Sequence, residues 1–144
     1  MAEIQKIKDV LRVLTEFKSR SDGTYDFNTM VLVEYINGYQ VSFVRPEAFE
    51  QLSSEQWDKI TNYYIDYFNS DANIGVYDGG AEVSFHCREK QKSIEVMEKY
   101  NQESVLDWEK KTKEPDNIPS WFIINRLFNK ELILDYDKII KEIL

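Results

Sequence analysis

The chain contains one histidine and one cysteine, His86 and Cys87, and the two are adjacent. Neighbouring residues of a strand point to opposite faces, so this pair cannot readily share a metal ion. A zinc site would need carboxylates or a second subunit to complete four ligands. The expected roles are therefore a partly exposed strand histidine and a buried core thiol. Carboxylates are plentiful, and Asp22, Asp26, Glu34, Asp78 and Glu82 are of the type that holds Mg²⁺ or forms a glycosidase pair. Nothing in their spacing picks out a pair. The stretch from Asp71 to Gly80 lacks the spacing of a calcium-binding EF loop. Gly-x-Ser-x-Gly, a Walker loop and a glycine-rich dinucleotide turn are all missing. No catalytic residue, metal ligand or cofactor is expected.

Charge is more informative. The net charge of -8 opposes direct binding to a phosphate backbone. It is concentrated: residues 21–87 hold eleven acids against Arg45 and Lys59, whereas residues 1–20 sum to +2 and residues 88–144 to -1. Seven of the nine tyrosines fall in that acidic segment. Such asymmetry bears on partners and association rates. Either the acids form a solvated, solubilising face, or they dock on a basic surface.

The elements that must position these groups follow from periodicity. Ile4, Ile7, Leu11 and Leu14 recur at helical spacing over residues 3–18. Residues 19–28 are polar and read as a loop. Two apolar runs, 30–36 and 39–45, flank Asn37-Gly38, a pairing that favours a type I′ hairpin. Pro46 ends that strand. Ser53 and Gln56 have capping-box spacing for a helix to about Phe68. A second hairpin is expected over Asn73–Cys87, turning at Gly79-Gly80. The C-terminal third reads as helical: 89–112 with Ile94, Met97, Val105 and Trp108, a helix beginning at Pro119 with Trp121, Ile124 and Phe128, and 135–144 capped by Asp135. Trp57 and Trp121 read as core residues. Lys110, Lys111 and Lys113 suit a helix C-terminus. No linker divides the chain, so one α+β domain over residues 1–144 is expected, its antiparallel sheet packed on helices.

The expected register pairs Ile36 with Tyr39, Glu34 with Val41, and Leu32 with Phe43. Glu34 then sits on an apolar face, where a partly exposed or Arg45-paired structural carboxylate is the ordinary outcome. In the second hairpin Ile74, Val76, Ala81, Val83 and Phe85 share one face, and Asn73, Tyr77, Glu82, Ser84 and His86 the other. Each hairpin thus has an apolar side and a polar side facing water, as antiparallel sheets commonly do. EYINGYQVSF (34–43) and VYDGGAEVSF (76–85) align at an offset of 42. The match reads either as an internal ββα–ββα repeat or as convergent hairpin chemistry.

The polar faces and acidic connections nominate Tyr35, Gln40, Asp66, Asp71, Tyr77, Asp78 and Glu82 as partner-binding residues, since tyrosine offers amphipathic contact area at low entropic cost. In acidity, size and segments such as GYQVSF (38–43) and EVSFHC (82–87), the chain resembles small accessory proteins of low-GC Gram-positive phages and mobile elements. Anti-CRISPR and antirestriction proteins are prominent in that group. The resemblance implies a host-defence inhibitor acting on a CRISPR effector or restriction nuclease. The expectation is a non-enzymatic inhibitor, monomeric or homodimeric, binding a basic protein rather than nucleic acid or membrane. The alternatives are a structural or regulatory interaction module and a carboxylate-based, metal-dependent hydrolase. A single cysteine and the lack of an apolar run of ~18 residues fit a cytoplasmic protein.

Overall fold

Asp78 and Gly79 both adopt positive φ, 49° and 76°, as the two central residues of a type I′ turn must. They join β4 (Ala72–Tyr77) to β5 (Gly80–Cys87), with Tyr77 opposite Gly80. The second hairpin is therefore present, with its turn one residue earlier than expected. Pairing moves by two residues, which leaves the face of every side chain unchanged. The computed structural model describes residues 10–44, 52–113, 120–132 and 134–143.

The hairpin expected at Asn37-Gly38 does not form. The polar segment read as a loop contains β1 (Gly23–Asp26), and this strand pairs with β2 (Leu32–Val33): Leu32 lies opposite Tyr25, not Phe43. β3 (Tyr39–Val44) instead lies between β5 and β6 (Ser104–Asp107). With β7 (Phe122–Ile124) the antiparallel sheet has, among the described residues, seven strands in the order β2-β1-β4-β5-β3-β6-β7. Without a first hairpin there is no tandem ββα repeat. The two similar segments pair with each other: Val41 faces Phe85 and Ser42 faces Ser84.

Helices α1 (Val10–Phe17), α2 (Ser54–Phe68) and α3 (Lys90–Lys99) cover one side of the sheet. Ile4 and Ile7 of the expected first helix, Arg45, Pro46 and Pro119 lie outside the described residues. The capping box of α2 is made as its sequence suggests, with Gln56 N donating to Ser53 Oγ at 3.2 Å and Ser53 N to Gln56 Oε1 at 2.9 Å. Trp57, Ile60, Tyr64 and Phe68 of α2 are buried with Val41, Phe43, Ile74, Val83 and Phe85 of the sheet. No described helix is long and apolar enough to cross a membrane.

The C-terminal third is not wholly helical. α3 stops at Lys99, and Asn101 at φ 48° turns the chain into β6, where Val105 is buried as a strand residue. Trp108 begins the short α4 (Trp108–Lys113), and Phe122–Ile124 is a strand rather than part of a helix. Short apolar runs fit either period, and here the open edge of β6 decides the outcome. α5 (Tyr136–Ile143) is capped by Asp135, which accepts from Lys138 N at 3.0 Å. Its Ile140 is buried, while the side chain of Ile139 lies outside the described set.

At the core, the Tyr64 and Tyr100 hydroxyls are buried 2.8 Å apart, and burial pushes the phenol of Tyr64 well above its ordinary pKa. Tyr100→Phe would strip Tyr64 of that partner, at a cost of about 1–2 kcal/mol. Adding Tyr64→Phe removes the orphaned hydroxyl and recovers part of the loss. Urea unfolding of the two single variants and the double variant reads this non-additivity directly.

Candidate interaction surface

Strand alternation places Gln40 and Ser42, Asn73, Gly75 and Tyr77, and Glu82, Ser84 and His86 on the face away from α1, α2 and α3. This face is concave. The side chains of Gln40 and Asn73 meet although β5 lies between their strands, and a Cβ at Gly75 would come within 3.0 Å of Ser42 Oγ. A Cβ at position 75 would need the Ser42 hydroxyl to give by a few tenths of an ångström.

A strap, residues 34–38, crosses this concavity from edge strand β2 to β3. Tyr35 points beneath it and stacks on His86 with ring centroids 4.0 Å apart. Its hydroxyl meets the Asn73 side-chain amide, whose Nδ2 donates to it at 3.2 Å. His86 Nε2 donates to the Asn37 carbonyl at 2.8 Å, and Trp108 N donates to the Gly38 carbonyl at 3.0 Å. Gly38 has φ 82°, and a Cβ there would collide with His86 Nε2 at 2.5 Å. Only glycine fits.

Under the strap lies a polar layer. Gln40 Nε2 donates to Asn73 Oδ1 at 3.0 Å and to Ser84 Oγ at 2.9 Å, and Gln40 Oε1 accepts from Trp108 Nε1 at 3.0 Å. Gln40 is 5% exposed, and Asn73 and Ser84 are fully buried. None of the buried polar atoms without a hydrogen bond among the described residues belongs to this layer. The expectation of a water-facing side is thus corrected for Gln40, Asn73 and Ser84: the curl, the strap and α4 cover them. Gln40, nominated as a contact residue, is committed to the interior.

Burial holds the His86 pKa below its ordinary value; nearby Arg88 adds to this and the Asn37 hydrogen bond opposes it. Burial raises the Tyr35 phenol against the Asn73 hydrogen bond, with Asp26 and Asp71 reinforcing the rise. Cys87, on the opposite face from His86, is buried among the helices. Among the described residues no three His, Cys, Asp or Glu side chains converge as a metal-ligand group.

The remaining nominated residues divide between two sides of the molecule. Tyr77 is 77% exposed and lies on the concave face with half-buried Glu82. Asp78 is exposed at the hairpin tip, where its backbone N donates to Asp22 Oδ1 at 3.1 Å. Asp71 is exposed at the other end of β4, near enough to act on Tyr35. Asp66 is exposed on α2, in the helical layer, and does not join them. Glu34, expected on an apolar face, is exposed on the strap. Ion pairs among the described residues sit mostly within helices, such as Arg12–Glu16, Lys59–Glu55 and Lys113–Glu109. None engages Asp22, Asp26, Glu34, Asp71 or Asp78.

No family model, curated protein or solved structure matches the chain. The surface is therefore read from its own chemistry. Its fixed features are the acids flanking β1 and β4 and a strap locked over a satisfied polar layer. Sequence pattern places Asn73 and Ser84 on a polar strand face and Trp108 in a helix but does not join them in one layer, because polar residues at alternate strand positions look alike whether water or a strap covers them.

Two outcomes test this arrangement. Gly79→Ala, strained only by its backbone, would cost about 1 kcal/mol. Gly38→Ala, which also displaces His86, would cost about twice that or more by urea denaturation. Because His86 has a lower pKa folded than unfolded, the unfolded chain binds the extra proton. Stability is full above the unfolded value of about 6.5 and falls as pH drops below it. His86→Gln would flatten that slope between neutral pH and the onset of carboxylate titration.

Proposed function

We propose that the chain is a non-enzymatic binding inhibitor whose acidic, tyrosine-bearing face docks on a basic, nucleic-acid-handling protein, with a CRISPR effector or restriction nuclease as the target class. The observation that carries this reading is the set of carboxylates without cationic partners, Asp22, Asp26, Asp71 and Asp78, bordering a face that presents Tyr77. From Asp71 to Asp78 the strand rise spans about 23 Å, a length over which spaced carboxylates can occupy a groove that normally grips phosphates. Complementary charge of this kind speeds association and makes it sensitive to salt. The buried Cys87 thiol suits a reducing cytoplasm.

The test is inhibition of DNA cleavage by purified, guide-loaded CRISPR effectors and by restriction enzymes at low and moderate salt. Inhibition is expected to weaken as salt rises. The combined substitution Asp71→Asn, Asp78→Asn and Glu82→Gln is expected to raise the inhibitory concentration about tenfold or more with folding intact. Asp66→Asn, in the helical layer, should change nothing. Cleavage unaffected across the panel, or undiminished inhibition by the folded triple variant, would overturn the reading.

A further inference from the structure

Among the described residues, Ile36 and Tyr77 are the two most exposed large hydrophobic side chains, at 78% and 77%. Ile36 stands at the crest of the strap, so its exposure has a structural cause. Residues on either side of it are pinned: Tyr35 by its stack on His86 and its bond to Asn73, Asn37 by the His86 imidazole, and Gly38 by Trp108 N. With Tyr35 turned inward, Glu34 and Ile36 are left facing solvent. Acidic groups lie near the strap: Asp26 is paired opposite Asn73, the residue that holds the Tyr35 hydroxyl. Glu34 is two residues away, and Asp26 and Asp71 act on the neighbouring Tyr35. An isolated exposed apolar side chain is commonplace. One held rigidly amid unpaired acids has met its ordering cost before any partner arrives.

We propose that Ile36 is the anchor of the acidic face: it enters an apolar socket on a partner protein, and lysine or arginine side chains rimming that socket meet Glu34, Asp26 and Asp71. This rests on the docking reading above and gives the partner a chemistry. A bare polycation offers no socket, and a phosphate surface is repelled. The partner is a folded or peptide surface that combines cationic groups with an apolar recess, in the usual arrangement of a buried anchor within a polar rim.

Ile36→Asp separates the two contributions by sign. If charge alone bound the partner, the added carboxylate would strengthen binding; if Ile36 is the anchor, it weakens binding. The probe is a displayed library of random peptides selected on the immobilised full-length chain, with selected clones then measured against folded variants. Clones carrying Lys or Arg beside a large apolar residue are expected. They should bind Ile36→Asp about tenfold or more weakly, the scale of one buried aliphatic side chain. The Leu127→Asp control, at an exposed apolar residue elsewhere, should bind normally. Basic clones that need the acids but bind Ile36→Asp as well or better would overturn the anchor and leave acidic docking standing. A library that yields no clones, or clones indifferent to Asp71→Asn, Asp78→Asn and Glu82→Gln together, would overturn both.

Discussion

Six residue steps separate Val33 on the edge strand from Tyr39 near the middle of the sheet, and the chain between them must pass four strand spacings. At about 3.3 Å per residue and about 4.8 Å per spacing, the reach is about 20 Å and the requirement about 19 Å. Only a fully extended segment would span that distance over a flat sheet, and the strap bends at Ile36, Asn37 and Gly38, so it crosses because the sheet curls and shortens the chord. That constraint organises the rest of the molecule. Gly75 eases the curl, Gly38 permits the strap to descend onto β3, and Tyr35 is carried to His86 instead of into a hairpin face.

Covering the second sheet face creates a liability, because strands that alternate apolar and polar residues then bury their polar side. The molecule resolves it by pairing: Gln40 bridges Asn73, Ser84 and Trp108, and Asn73 holds Tyr35. A satisfied buried network rigidifies what it joins, whereas an unpaired member would cost more than an apolar substitute. Rigidity passes outward from this layer to the strap. The histidine, which metal or acid–base chemistry would have claimed, serves as a stacked donor to the Asn37 carbonyl.

Local chemistry was legible where the chain decides locally. The Ser53 capping box, the β4–β5 face assignment and the Asp135 cap are short-range features, and the structure contains them. The hairpin at Asn37-Gly38 was misleading because its turn preference competes with strand pairings worth more. β3 gains two neighbours and a core face for Val41 and Phe43, which a local hairpin with Leu32 could not match. β1 was hidden by its composition, since Gly23-Thr24-Tyr25-Asp26 has no apolar alternation to betray a strand. The acidic segment was legible as charge. Its division between the sheet face and Asp66 on α2 depends on tertiary placement, which charge counts do not carry.

The functional reading inherits its geometry from the strap, because the strap sets both what is hidden and what the acidic side presents. Nuclear Overhauser contacts between assigned side chains test that geometry most directly. The account predicts strong contacts from the Tyr35 ring to the His86 imidazole and the Trp108 indole, with Leu32 near Tyr25. Cross-strand contacts of Ile36 with Tyr39 and of Glu34 with Val41, and none between Tyr35 and His86, would mean a local hairpin and would contradict the account.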